Sequence, residues 1–174
     1  MKETYPINFS HIGITVPDLE KAIKFYTEVM GWYHISGPIT VSEKESNNLT
    51  RISKLIYGEG WEKFRFEHLS SADGMGFEIF EFENNISTTS IDNPFKTGIS
   101  HFCIQHPRPA EMLDRIVEAG GKIIMEPQIE YPNDKPYLMA FAEDPFGITI
   151  EIYSHSYELH NVGPNGPVEN FPKA

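Results

Sequence analysis

Phe9-Ser-His-Ile-Gly-Ile-Thr-Val-Pro-Asp-Leu-Glu-Lys-Ala-Ile-Lys-Phe-Tyr-Thr-Glu-Val-Met-Gly31 is a pattern that the chain uses twice. Ninety positions on stands Ile99-Ser-His-Phe-Cys-Ile-Gln-His-Pro-Arg-Pro-Ala-Glu-Met-Leu-Asp-Arg-Ile-Val-Glu-Ala-Gly-Gly121. Without a gap, Ser10-His11 falls on Ser100-His101, Pro17 on Pro107 and Gly31 on Gly121. In the first copy Ile12, Ile14 and Val16 alternate with His11, Gly13 and Thr15, the period of a half-buried strand. Pro17 ends that strand and Asp18 is a good N-cap. From there to about Met30, the residues Leu19, Ala22, Ile23, Tyr26, Val29 and Met30 keep the spacing of a buried helical stripe. In the second copy a strand over about 98–105 leads to a helix over about 109–119. Pro109 suits its first turn, and Met112, Leu113, Ile116 and Val117 form its stripe.

The segments after the two copies are also similar. Beyond the first helix the pattern predicts strands over 32–41, 61–69 and 76–82, the last two joined by the turn Ser70-Ser-Ala-Asp-Gly74. Between them Leu49, Ile52, Leu55 and Ile56 have helical spacing, read either as a short helix or as a loop. After the second helix come strands over about 121–129, 137–143 and 148–153, with a turn at Asp144-Pro-Phe-Gly147. The organisation is βαβββ twice: a first module over 1–84, a linker over 85–97, a second module over 98–155 and an irregular tail over 156–174. The fold class is α+β, with the two modules curling a mixed sheet around a cleft and the helices outside.

The repeat singles out four residues. Gly74-Met-Gly-Phe-Glu78 and Gly147-Ile-Thr-Ile-Glu151 place a glutamate four residues beyond the turn glycine in both copies. Glu81 breaks that register and points to the other face of its strand. A lone histidine on a strand is usually a satisfied core or surface residue, and a strand glutamate is usually solvated. Two of each at matched positions read differently. Imidazole and carboxylate together suit a first-row divalent ion, and Zn, Ni, Co, Mn and Fe are all compatible with His11, Glu78, His101 and Glu151. Such an ion offsets the cost of a buried carboxylate and leaves positions for a substrate with vicinal oxygens. Glu78 and Glu151 are the candidates for moving a proton between neighbouring carbons.

The remaining histidines, His34, His68, His106, His155 and His160, share no register, which points to surface or hydrogen-bonding roles. His68 is the exception, because Phe64, Phe66 and His68 alternate on the strand paired with the one that bears Glu78. Cys103 lies two residues past His101 on the same face and reads as a small apolar filler. As a lone cysteine it forms no internal disulfide.

Composition narrows the classes. At 174 residues a chain can bury roughly 70% of the surface its unfolded form exposes, so folding needs neither a disulfide nor a structural metal. A net charge of −11 repels nucleic acid and anionic membranes. The sequence has no 18-residue apolar run and no basic-apolar leader. The expectation is a cytoplasmic protein with a small-molecule substrate and with no nucleic-acid or membrane partner.

Taken together, His11-Ile-Gly-Ile-Thr-Val-Pro-Asp-Leu-Glu-Lys-Ala-Ile-Lys-Phe-Tyr26, Gly98-Ile-Ser-His101, Glu143-Asp-Pro-Phe-Gly147 and Ile150-Glu151 resemble the vicinal oxygen chelate superfamily. That superfamily includes glyoxalase I, methylmalonyl-CoA epimerase, extradiol dioxygenases, and fosfomycin-resistance and bleomycin-binding proteins. The resemblance covers about residues 7–153. Its His, Glu, His, Glu order is nearest to glyoxalase I; the epimerases have Gln at the position of Glu78, and the dioxygenases use a His, His, Glu triad. The resemblance therefore implies one divalent metal held by His11, Glu78, His101 and Glu151. It implies a glyoxalase-like lyase or isomerase working through an enediolate, and a homodimer. The alternatives are an Fe(II) extradiol-type dioxygenase, or a non-catalytic small-molecule binding protein of the resistance type. Arg51, Lys54 and Arg65 are the candidates for contacts with a thiol cosubstrate such as glutathione. The segment 42–60 and the tail have no counterpart in the resemblance.

Overall fold

The structure is a computed structural model and describes residues 7–84, 97–129 and 135–161. The linker, except for residue 97, and the tail beyond 161 lie outside the described residues. The chain divides into two compact units, Met1–Thr88 and Thr89–Ala174. The first is built from β1 (His11–Thr15), α1 (Leu19–Glu28), β2 (Tyr33–Ser42), α2 (Asn48–Tyr57), β3 (Lys63–Ser70) and β4 (Gly76–Phe82). The second has β5 (Phe102–Gln105), α3 (Pro109–Glu118), β6 (Lys122–Ile129), β7 (Leu138–Glu143), β8 (Thr149–Tyr153) and α4 (Tyr157–Asn161). Each unit holds one four-stranded mixed sheet, ordered β1-β4-β3-β2 and β5-β8-β7-β6. The α+β architecture expected from the repeat is thus present in each half.

Helices α1 and α3 begin and end ninety residues apart, so the repeat holds at the level of backbone. Their caps differ. Asp18 accepts a hydrogen bond from the Lys21 N–H at 3.0 Å, whereas α3 has no side-chain cap and relies on Pro109 in its first turn. Leu19, Ala22, Phe25 and Tyr26 of α1 are buried, with Tyr26, Trp32 and Phe77 stacked or tilted against one another. In the second unit Met112, Leu113 and Ile116 meet a sheet face carrying Ala140, Ala142, Ile150 and Ile152, all buried. Burying each of the larger side chains contributes roughly 1.5–3 kcal/mol. Val117, read as part of the α3 stripe, is 44% exposed. The stripe is narrower than the spacing predicted, because i, i+1, i+4 already fills the contact with the sheet.

Two further expectations change. The segment after β2 is a helix, α2, but its polarity is turned round. Thr50 and Ser53 are buried, while Leu55 and Ile56 are 74% and 65% exposed. The Asn47 side chain caps the helix through Thr50 N–H at 2.8 Å, and the Thr50 hydroxyl donates to Ser42 O at 3.1 Å. These polar ties hold the helix by its hydrophilic side. The tail, expected to be irregular from 156, begins with the short helix α4, whose His160 is buried and stacked on Tyr153 with ring centroids 3.9 Å apart.

Glu67 is the costly residue of the first unit. Its side chain is 0% exposed, on the face of β3 opposite His68. His34 meets one carboxylate oxygen, yet neither oxygen has a hydrogen bond of good geometry. Burial pushes the Glu67 carboxyl above its usual 4.5, against the opposing pull of the His34 charge. A raised folded value means that the native state holds this proton more tightly than the unfolded chain. The associated stability is full below pH 4.5 and declines as pH rises above it. Glu67→Gln removes that titration, so its urea midpoint relative to wild type should climb from about pH 4 to about pH 7. A midpoint difference that stays flat with pH would show that Glu67 is not a desolvated carboxyl.

Candidate metal centre

The first and last strands of each unit lie side by side and parallel. In the first unit His11 pairs with Gly76 and Gly13 with Glu78. In the second, Cys103 pairs with Glu151, the equivalent register, with His101 just ahead of β5 rather than within it. Both glutamates come after a turn closed by a glycine in the left-handed region, Gly74 at φ 87° and Gly147 at φ 90°. Asp144 holds the second turn: its carboxylate accepts from Phe146 N–H at 2.9 Å and Ile148 N–H at 2.8 Å. This Asx-type wiring explains the Asp-Pro-Phe-Gly sequence.

The register brings each histidine to its glutamate. His11 Nε2 lies 3.8 Å from Glu78 Oε2, and His101 Nε2 lies 3.2 Å from Glu151 Oε2. Two donor atoms that share one zinc-like ion at about 2.0–2.2 Å sit roughly 2.8–3.6 Å apart. The second pair already spans such an edge, and the first needs only a small side-chain adjustment. The donor chemistry and spacing fit a divalent ion two residues at a time. Among the described residues no group of three or more His, Cys, Asp or Glu forms a metal-holding cluster.

The other ring nitrogen of each histidine has a repeated partner. Ser10 Oγ lies 3.3 Å from His11 Nδ1, and Ser100 Oγ lies 2.9 Å from His101 Nδ1. A hydroxyl accepting from Nδ1–H leaves the Nε2 lone pair directed at the glutamate side, the tautomer a ligand requires. The Ser-His dipeptide repeated in the sequence is the available signal for this role.

The surroundings of the two glutamates differ. Glu78 faces His68 on the neighbouring strand β3, Nε2 to Oε1 at 3.4 Å. Beyond it Phe66 and Phe80 stack, and Tyr57 from α2 meets Phe64 and Phe82 edge-on. Burial, and then the Glu78 charge, hold the Tyr57 phenol above its ordinary value. Sequence reasoning misses Tyr57 as a neighbour of Glu78, because α2 has no counterpart in the second module. Glu151 is 8% exposed, with Phe141 as its partner on β7 and Cys103 on β5. The Phe141 ring also meets His101 edge-on.

Glu81, which breaks the register of the repeat, accepts from the Leu19 N–H at 3.2 Å and pairs with Arg65. It therefore serves the start of α1. Arg65 is engaged by Glu81 and Glu20, and the Arg51 guanidinium folds onto Asn48. Neither is an unengaged anion receptor. His34 pairs with Glu67, and His155 Nδ1 meets Ser154 Oγ at 2.8 Å.

Comparison with known proteins gives the family and the fold. The sequence model of the Glyoxalase/Bleomycin resistance protein/Dioxygenase superfamily matches residues 8–152. The chain belongs to that superfamily. It is 28% identical over 144 residues to lactoylglutathione lyase GLX1 of Arabidopsis thaliana, covering 83% of this chain and 43% of the relative. The chain thus spans less than half the length of the curated relatives it matches. Its fold resembles a glyoxalase family protein from Bacillus cereus with a TM-score of 0.69 at 20% identity, over 88% of this chain and 97% of the other. It also resembles glyoxalase I from Zea mays, with a TM-score of 0.58 at 22% identity over 85% and 44% of the two chains. Among the described residues no helix is long and apolar enough to cross a membrane.

Cys103 supplies a direct check on the Glu151 surroundings. The thiol is pushed up to about 12, first by burial and then by the Glu151 charge, although the residue keeps exposed surface. At about pH 8 its alkylation by iodoacetamide should be slower than that of glutathione by on the order of a hundredfold, because so little thiolate is present. Reaction at the glutathione rate would show that Cys103 does not sit against Glu151.

Proposed function

We propose that the chain is a metal-dependent enzyme of the glyoxalase type, acting on a small substrate with vicinal oxygens. The observation that carries this reading is the pair of His–Glu couples at equivalent registers in the two modules. In this reading His11, Glu78, His101 and Glu151 together hold one divalent ion. They do so either within one chain or across a homodimer in a cytoplasmic protein. Superfamily membership and the distant likeness to a lactoylglutathione lyase support the reaction class.

The ion, when bound, draws electron density from the adjacent substrate oxygens and so acidifies the C–H bond between them. The chain's residues do the rest. A glutamate oxygen, from Glu78 or Glu151, takes the proton from the carbon that bears the hydroxyl. The C–H bond breaks, a carboxyl O–H bond forms, and the electron pair moves onto the carbonyl oxygen. The same carboxyl returns the proton to the neighbouring carbon while the hydroxyl proton passes between the oxygens, so the product is an isomer and no oxidant is consumed. Phe66, Phe80 and Phe141 give the glutamates apolar surroundings, where charge is felt more strongly than in water.

Protein purified without chelators should carry close to one divalent ion per proposed site, measured by atomic emission. His11→Ala and His101→Ala should each lose it. Glu78→Gln or Glu151→Gln should lower turnover of an α-hydroxycarbonyl substrate by roughly 10²–10⁴-fold, monitored as solvent deuterium entering the adjacent carbon. Wild-type protein free of metal, with a melting temperature that chelator and His11→Ala leave unchanged, would overturn this reading. Oxygen consumption with catechols on Fe(II) loading would replace the proton shift with ring cleavage.

A further inference from the structure

We infer that His68, aligned by Ser36, is a positioning residue that holds the Glu78 carboxylate for the ion; this rests on the metal-site reading above. Among the described residues three imidazoles share one wiring, with a serine hydroxyl at Nδ1 and a glutamate oxygen at Nε2. For His11 and His101 the serine is the preceding residue. For His68 it comes from another strand: Ser36 Oγ lies 3.0 Å from His68 Nδ1, because β2 and β3 pair these residues directly. His68 in turn pairs with Glu78 on β4. Side-chain contacts therefore run from Ser36 through His68 and Glu78 to His11 across the four strands of the first sheet, although the residue in register with Glu78 on β1 is Gly13.

The two oxygens of Glu78 are divided along this line. Oε1 faces His68 at 3.4 Å, and Oε2 faces His11 at 3.8 Å. A carboxylate engaged through one oxygen offers the other to an ion in a fixed direction. The serine hydroxyl can donate to His68 Nδ1, which leaves Nε2–H to donate to Oε1. That is the opposite tautomer from the one His11 requires, so two similarly wired histidines divide the labour. His68 meets the Glu78 oxygen that His11 does not, Oε1 rather than Oε2, so it is placed to orient the carboxylate rather than to share the ion with His11. Among the described residues the second module shows no equivalent device, because Phe141 occupies the corresponding register opposite Glu151.

The test is a competition titration with Co²⁺, chosen because its visible spectrum reports the coordination sphere. His68→Ala should weaken Co²⁺ binding by about 10–100-fold with the far-UV dichroism unchanged. Ser36→Ala should act in the same direction with a smaller effect, and His68→Gln, which keeps an N–H within reach of Oε1, should recover part of the loss. In metal-free wild type, the His68 ring ¹⁵N shifts should report a proton on Nε2 and should move in Glu78→Gln. Wild-type affinity in His68→Ala overturns this inference alone. Loss of one imidazole from the cobalt sphere in His68→Ala also overturns it, since His68 would then be a ligand. A wild-type protein that binds no Co²⁺ overturns the metal-site reading together with it.

Discussion

In each unit the first strand and the last strand run parallel as immediate neighbours, and no tight turn can join such a pair. The chain between them must leave the sheet, cross over and return. Here it does so through α1, β2, α2 and β3 in the first unit and through α3, β6 and β7 in the second, so that β1 meets β4 and β5 meets β8 only once those elements are in place. The histidine at the start of the pattern and the glutamate near its end, widely separated in sequence, therefore meet only in a folded unit. The helix packed on the opposite face fixes that register, since a slip of one residue would turn Leu69, Phe77 and Ile79 away from α1.

The strands that carry the donors also explain why the two glutamates are unequal. Both have a strand on either side, and the neighbours across each strand decide their character. Glu78 has Gly13 on one side and His68 on the other. Glu151 has Cys103 and Phe141. The first meets two imidazoles, His11 and His68; the second meets one, His101, and otherwise lies beside a thiol and a phenyl ring. The two modules share one backbone arrangement, and different residues at two equivalent positions, Gly13 or Cys103 and His68 or Phe141, give the carboxylates different surroundings.

The repeat makes much of this legible in the amino-acid sequence alone. Asp18, Pro109, Gly74 and Gly147 each fix local backbone through a short-range effect, and the elements they start or end fall close to where the spacing puts them. Glu78 is separable from Glu81 by strand parity, and Glu81 indeed serves α1. The features that escape depend on long-range pairing. The contact between Ser36 and His68 requires knowing that β2 shifts register between His34 and Ser36, which no periodicity reveals. The reversed α2 escapes because hydrophobic spacing predicts a helix but not which face is held, and here Thr50 and Asn47 hold it through hydrogen bonds. The α4 turn escapes because so short a helix carries too little periodic signal.

Gly13 sits where Cys103 stands in the second module. A Cβ placed there would come within 3.3 Å of the Phe80 ring, closer than a packed interior readily allows. For the first module to take on the thiol seen in the second, the aromatic ring would have to shift as well. The residue on β1 and the ring on β4 are thus tied together: filling the space over Gly13 requires Phe80 to give by a few tenths of an ångström.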